Sequence, residues 1–262
     1  MSDIVNYPAD HRHPVMTPEN VSPRRVQRVR HDIVRRELQV LRVESLGPHF
    51  RSVVLGGPAL QGFVSASFDD HLKFILGAGT EAQAMRDYTP RRYDPVAGEL
   101  TIEFALHGDG PAAAWAAQAQ AGQAATIAGP RGSFVVPVDY DWHLLAGDDS
   151  ALPAIARRLE ELPASTRAIV IVAVPDPADR RALASAATLD ARWVDSTEAL
   201  VEAVRALELP AGEGYAWCAG EAAAMKTLRS ILVDDKGHDR HAIRAAAYWK
   251  RGDAGHHENL EG

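Results

Sequence analysis

The sequence predicts a two-domain β plus α/β protein, with an antiparallel β-barrel followed by a parallel α/β domain. Up to about Val138, short runs rich in β-branched residues succeed one another, closed by Gly and Pro. Beyond it, apolar runs alternate with amphipathic helical segments. A chain of 262 residues accommodates two modest domains. The expected division is a loosely ordered segment over 1–30, the barrel over 31–138 and the α/β domain over 139–262.

The first thirty residues are rich in Pro, Arg and polar groups. From about Glu37, LQVLRVESL and HFRSVVLGG read as strands that end at Gly47-Pro48 and Gly56-Gly57-Pro58. HLKFIL, DYTPRRYD and ELTIEFAL follow, the last alternating Leu100, Ile102, Phe104 and Leu106 with polar or small partners. Several short strands in succession imply a small antiparallel barrel. Pro111 to Ala121 interrupts them as a short Ala-rich helix with Pro at an early position.

In the second half, WHLLAG precedes SALPAIARRLEEL, AIVIVAV precedes PADRRALASAA, and ARWVD precedes STEALVEAVRAL. YAWCAG, EAAAMKTLRSILVDD and IRAAAYW complete the pattern. Strands apolar on both faces, alternating with helices, indicate a parallel sheet. In the helix that Ser196 is placed to cap, Leu200, Val201, Val204 and Leu207 form one apolar stripe.

Composition narrows the function classes. Hydrophobic content of 46% and charged content of 24% suit a globular protein, and no apolar run approaches the roughly 20 residues of a membrane span. No secretory signal is visible, and a single cysteine, Cys218, excludes an internal disulfide framework; the cytoplasm is the expected compartment. Net charge is −7, yet Arg24, Arg25, Arg28, Arg30, Arg35, Arg36 and Arg42 crowd one stretch. Without an aromatic platform this reads as a solvated lead-in, not a nucleic-acid site. The histidines are scattered, and His256-His257 has no partners at metal-ligand spacing, so no protein-bound metal is assigned.

Two strand-to-helix junctions, Ala146-Gly147-Asp148-Asp149-Ser150 and Ala219-Gly220-Glu221, stand where an α/β sheet binds ligands. Each Gly would let a ligand approach the backbone, although neither junction is a GxGxxG fingerprint. Arg86-Asp87-Tyr88-Thr89-Pro90-Arg91 supplies a guanidinium able to fork onto a phosphate and a ring able to stack on a flat group. His107-Gly108-Asp109-Gly110-Pro111-Ala112-Ala113-Ala114-Trp115 opens a helix with small residues, as a pyrophosphate site would. Each motif alone also reads as ordinary structure: a turn, a hairpin, or a packing helix with Trp115 in the core.

Their order is specific. RxYT, HGxxGPA with a Trp, Gly129-Pro130-Arg131-Gly132 and AGDxxALPAI, together with Asp70-His71-Leu72-Lys73 and Tyr248-Trp249-Lys250-Arg251-Gly252, resemble the siderophore-interacting protein family. That family comprises FAD-dependent ferric-siderophore reductases of the ferredoxin-reductase superfamily, and the likeness runs from about Arg42 to about His257. The resemblance implies that Arg86, Tyr88 and Thr89 contact FAD, that Glu103, Phe104, Ala105, Leu106 and His107 run beside the flavin, and that Gly110, Ala112 and Ala113 face its phosphates. It implies a nicotinamide cleft at Asp148, Asp149, Ser150, Ala151, Gly220 and Glu221, with Tyr248 and Trp249 closing the flavin's other side. Ala113, Cys218 and Ala247 depart from the family, which often has Ser, Val and Gly there; losing the Ser hydroxyl leaves backbone donors to hold the phosphate.

The implied reaction passes hydride from NADPH or NADH to FAD and single electrons to an Fe(III) chelate, freeing weakly held Fe(II). Lys73, Lys250 and Arg251 would attract an anionic ferric siderophore, and Arg180, Arg181 and Lys226 could approach a 2′-phosphate. A monomer is expected. A general flavin or ferredoxin reductase, and a non-enzymatic siderophore carrier, are the alternatives; the carrier would be colourless.

Overall fold

The computed structural model describes residues 25–106, 110–252 and 258–259. Its first half comprises β1 (Gln27–Arg30), β2 (Arg35–Gly47), β3 (Phe50–Gly56), β4 (Leu72–Leu76), β5 (Ala84–Tyr88), β6 (Arg92–Asp94) and β7 (Glu99–Ala105). Helix α1 (Pro111–Ala117), β8 (Ala124–Ala128) and β9 (Gly132–Val135) complete it. Seven strands form one antiparallel sheet in the order β5-β4-β8-β2-β3-β7-β6. Along β2, Arg36, Leu38 and Val40 turn inward while Arg35, Glu37 and Gln39 face water, the period-2 pattern of a half-buried strand. Leu38 and Val40 join Leu55, Leu72, Phe74, Leu100, Ile102 and Ile127 in the barrel core. The sheet curls far enough for Tyr88 on β5 to meet Phe104 on β7, ring centroids 4.3 Å apart.

Several expectations change here. DYTPRRYD is two strands, because Pro90 brings no N–H to a ladder and restricts Thr89 before it. Helix α1 ends at Ala117, short of Ala121. Residues 27–30, expected to be loose, pair with β9, Gln27 opposite Val135. Nor is the arginine cluster wholly solvated. Arg36 is buried and donates to the carbonyls of Ala59, Gln61 and Gly62. Arg25 reaches Asp139 and Glu213 and lies 4.3 Å over the Tyr140 ring.

In the second half, β10 (Trp142–Asp148), β11 (Arg167–Ala173), β12 (Thr188–Val194), β13 (Gly214–Glu221) and β14 (Ile243–Trp249) run parallel in the order β12-β11-β10-β13-β14. The short β15 (Glu258–Asn259) adds antiparallel to β14. Helices α3 (Thr197–Ala206) and α4 (Ala222–Ser230) cover one face, with Leu200, Val204, Met225 and Leu228 against Leu144 and Ile169. Ser196 caps α3 as expected, its Oγ accepting from Ala199 N at 3.2 Å. Helix α2 (Leu152–Glu161) shares the other face with Phe50, Phe68 and Val136 from the first half, so one core spans both halves.

PADRRALASAA does not form a helix. Asp176 caps a single turn at Pro177–Asp179, and the chain then runs irregularly to β12. Tertiary bonds displace the helix: Ser185 Oγ donates to Leu159 O at 2.7 Å, and Arg181 leaves for the barrel. Ala-rich propensity is worth only tenths of a kcal/mol per residue, roughly, so such bonds override it. Because connections leave β10 toward β11 on one side and return to β13 on the other, a crevice opens at the C-terminal ends of the strands.

Candidate active site between the two sheets

The barrel and the C-terminal edge of the parallel sheet enclose a cleft of about 610 Å³. Its barrel wall carries Phe50, Lys73, Arg86, Asp87, Tyr88, Thr89, Glu103 and Ala105, with Gly110, Ala112 and Ala113 at the start of α1. The opposite wall carries Asp148, Asp149, Ser150, Ala173, Pro175, Ser196, Tyr248 and Trp249. Most of the expected positions therefore converge on one cavity from segments far apart in sequence.

On the barrel side, Tyr88 is buttressed from behind by Phe104 and Phe74, and Trp115 of α1 packs on both of those rings. Burial raises the Tyr88 phenol above its ordinary range, so the ring stays neutral. Arg86 donates from Nη1 to the carbonyl of Met85 at 2.9 Å. Lys73 is ion-paired with Asp87 at 2.8 Å. Gly110 caps α1 without a side-chain bond to the first turn, and Pro111 follows it. Deeper in, Glu103 receives Arg181 at 2.5 Å and Arg91 at 3.3 Å.

On the α/β side, β14 carries a bulge. Ala247 pairs with Gly220 and Trp249 with Glu221, so Tyr248 has no opposite number. In a regular strand, neighbours point to opposite faces; the bulge lets both Tyr248 and Trp249 reach the cleft. The Tyr248 hydroxyl is bonded to the Thr89 side chain across the cleft floor. Asp148, at the end of β10, accepts from Ser150 N (3.0 Å) and Ser150 Oγ (2.5 Å) on Oδ1. Its Oδ2 accepts from Glu221 N (2.9 Å) and Trp249 Nε1 (2.8 Å). Burial, reinforced by the charge of Asp149, pushes Asp148 up to about 6.

Other expected residues lie elsewhere. Phe104 is wholly buried in the barrel core, Leu106 packs on that core, and Ala151 is buried beneath the first turn after β10. Gly147 and Gly220 are needed by the sheet itself and are not among the cleft's lining residues. A Cβ on Gly147 would meet Ala219 O at 2.2 Å, and one on Gly220 would meet the Asp148 carboxylate at 2.4 Å. Glu221 caps α4, its Oε2 accepting from Ala223 and Ala224. Lys250 and Arg251 are exposed just beyond Trp249, not among the cleft's lining residues. His107 lies outside the described residues, as do His256 and His257.

Sequence reasoning missed the contacts that close the seam between the halves. Asp69 accepts from Trp217 Nε1 at 3.3 Å and pairs with Arg244 at 2.6 Å. Arg157 of α2 donates to the carbonyls of Ser65 and Pro90. His49, Asp176 and Asp179 also meet there, His49 Nδ1 lying 2.7 Å from Asp179 Oδ2. No local spacing announces such pairs, since each joins segments far apart in the chain.

The wall chemistry fits a flavin dinucleotide. Aromatic and apolar faces suit a flat ring, while Arg86 beside the uncapped start of α1 suits a diphosphate. Asp87 Oδ1, buried without a partner, is an acceptor left for a hydroxyl-bearing ligand. Among the described residues, no helix is long and apolar enough to cross a membrane.

Comparison with known proteins supplies the lineage. The siderophore-interacting FAD-binding domain model matches residues 39–84 and 78–134, and the siderophore-interacting protein model matches 140–252. The chain is 40% identical over 252 residues to the NADPH-dependent ferric-chelate reductase of Escherichia coli (strain K12), covering 88% of this chain and 98% of that one. It is 35% identical over 175 residues to the ferric vibriobactin reductase ViuB of Vibrio cholerae, covering 64% of this chain and 65% of that one. A siderophore utilization protein from T. fusca superposes with a TM-score of 0.83 at 31% identity, over 88% of this chain and 98% of that one. With matched models spanning most of both halves, the chain belongs to the siderophore-interacting protein family, built on a ferredoxin-reductase-like pair of domains.

Proposed function

We propose that this protein is a cytoplasmic FAD-dependent NAD(P)H ferric-chelate reductase that acts on ferric siderophores. The observation that carries the reading is the cleft between the sheets, aromatic and cationic on its barrel wall and built from strand ends opposite. The names of the relatives from E. coli and V. cholerae support the substrate class.

In this reading Arg86 and the N–H groups of Ala112 and Ala113 hold the FAD diphosphate, replacing the hydroxyl that Ala113 lacks. Tyr88 packs against the isoalloxazine, held in place by Phe104 and Phe74. Thr89 and Tyr248, bonded to each other, fix the floor on which that ring lies. Asp149 and Ser150 border the nicotinamide side, with Trp249 at its mouth. FAD held there would supply the link between a two-electron nicotinamide donor and a one-electron Fe(III) acceptor. The protein needs no general acid or base for this; it supplies position and exclusion of water. Arg181 is engaged by Glu103, leaving Arg180 and Lys226 as the cations for a 2′-phosphate.

An absorbance spectrum tests the proposal. The purified protein should be yellow, should bleach under anaerobic NADPH or NADH, and should regain its colour on adding a ferric siderophore. A colourless protein would favour a carrier. A yellow protein that neither nucleotide bleaches would require another electron donor.

A further inference from the structure

We propose that Asp148 is a positioning residue: its ionised carboxylate pins the Trp249 indole at the mouth of the cleft and thereby sets access to the nicotinamide side. The inference rests on the cleft being the flavin and nicotinamide site, as argued above.

Four hydrogen bonds converge on this one carboxylate, all from donors. Two donors are backbone N–H groups fixed by the turn after β10 and by the β13-to-α4 junction. The Ser150 hydroxyl can rotate. The fourth donor, Trp249 Nε1, belongs to a side chain that is 38% exposed, at the last residue of β14. Of the two side chains that Asp148 restrains, Trp249 is thus the large one at the cleft mouth. The sheet is also shaped around the carboxylate, since Gly220 leaves the space that a Cβ would take from it. A surface hydrogen bond would not require that fit.

Protonation provides the release. A carboxylate accepting four hydrogen bonds has no site for a proton unless one donor changes role. Only the Ser150 hydroxyl can do so, by turning to accept from a protonated Oδ1. Oδ2 would then offer Trp249 a neutral oxygen, and a bond to a neutral acceptor has roughly half the strength of one to an ion. The titratable groups facing Asp148 are Asp149 in the same turn and Tyr248 on β14, while Glu221 offers it a backbone N–H and turns its carboxylate to the start of α4. Burial and the neighbouring Asp149 bring its titration up to about 6, within reach of ordinary conditions. Trp249 should therefore be held firmly above that pH and loosened below it.

The test follows the indole itself in the flavin-bound full chain. The Trp249 indole N–H resonance is assigned by its loss in Trp249→Phe and titrated from about pH 5 to 8. It should shift with a midpoint near 6 in the parent and stay still in Asp148→Asn. An indole that does not titrate, or titrates identically in Asp148→Asn, overturns the proposal. Trp249→Phe keeps an aromatic ring but removes the donor. It should lower the KM for the nicotinamide by about tenfold or more at pH 8, the worth of one hydrogen bond to a charged group. It should also abolish the parent's change of KM across pH 6. If Asp148→Asn does not fold, an unchanged KM in Trp249→Phe overturns the proposal alone. A flavin that no nucleotide reduces in any variant would instead remove the functional reading, and the indole titration would still report on the tether.

Discussion

Arg181 of the α/β half donates to Glu103 of the barrel at 2.5 Å, and the pair lies directly under the cleft. Arg91 approaches the same carboxylate at 3.3 Å and binds Glu160 of α2 with its other nitrogens. One buried acid therefore holds two cations at the seam that aligns the two walls. Glu103→Gln would leave both guanidiniums facing an amide. Breaking a buried pair typically costs about 3–5 kcal/mol. Both arginines keep some access to water, with side chains 14% and 17% exposed, so the expected loss is about 2–3 kcal/mol. Urea denaturation measures it, and an unchanged midpoint would mean that the arginines rehydrate freely.

Arg86 carries the prediction for cofactor retention. Its guanidinium makes one bond to the neighbouring Met85 carbonyl, which leaves most of its donors for a phosphate. Arg86→Ala should weaken FAD binding by about 1.5–3 kcal/mol, as for a hydrogen bond between charged groups. Flavin released on denaturation, compared with protein concentration, gives the occupancy. Equal occupancy in the variant would remove Arg86 from the site.

The chelate surface can be probed by salt. Lys73 must leave Asp87 before it can face an anion, whereas Lys250 is exposed beyond Trp249. Lys250→Ala should therefore account for most of the effect of the double variant with Lys73→Ala. Turnover of an anionic ferric catecholate should fall as ionic strength rises, with screening over about 10 Å at 0.1 M, while a neutral hydroxamate should change little. A double variant with the parental KM and salt slope would place chelate docking elsewhere.

Fold and site were legible in the sequence to different depths. Strand and helix alternation is local, so Leu100, Ile102, Phe104, Leu200 and Val204 could be assigned inward faces from period alone. Ordered motifs carried Arg86, Tyr88 and Tyr248-Trp249 to one cleft. Local propensity failed where tertiary bonds outweigh it, as at Arg180 to Ala187, where Arg181 and Ser185 hold an Ala-rich run out of helix. At Gly147 and Gly220 the sequence left two readings open, because a glycine that admits a ligand and one that admits a neighbouring strand look alike in sequence. The bulge at Tyr248 was invisible for the same reason: register is a property of two strands.

Acid stability provides the last prediction. His143 on β10 is completely buried, packed against the rings of Tyr140 and Tyr215, with centroids 5.6 and 6.1 Å away. Burial, with help from the charge of Arg158, pushes it down to about 3 from its ordinary 6.5. Between those values the unfolded chain binds a proton that the folded chain refuses, so stability falls as pH drops below about 6.5. By pH 4 this amounts to on the order of 3 kcal/mol. Asp148 acts in the opposite direction. Held near 6, it takes its proton in the folded state first, and so adds stability as pH falls from about 6 toward its ordinary 3.8. In the parent these two contributions oppose each other. His143→Leu deletes the His143 penalty and leaves the Asp148 gain. Its stability relative to the parent should rise steadily from pH 7 to pH 4, as read from urea midpoints at matched salt. A difference that stays constant with pH would mean that His143 takes up its proton inside the folded protein.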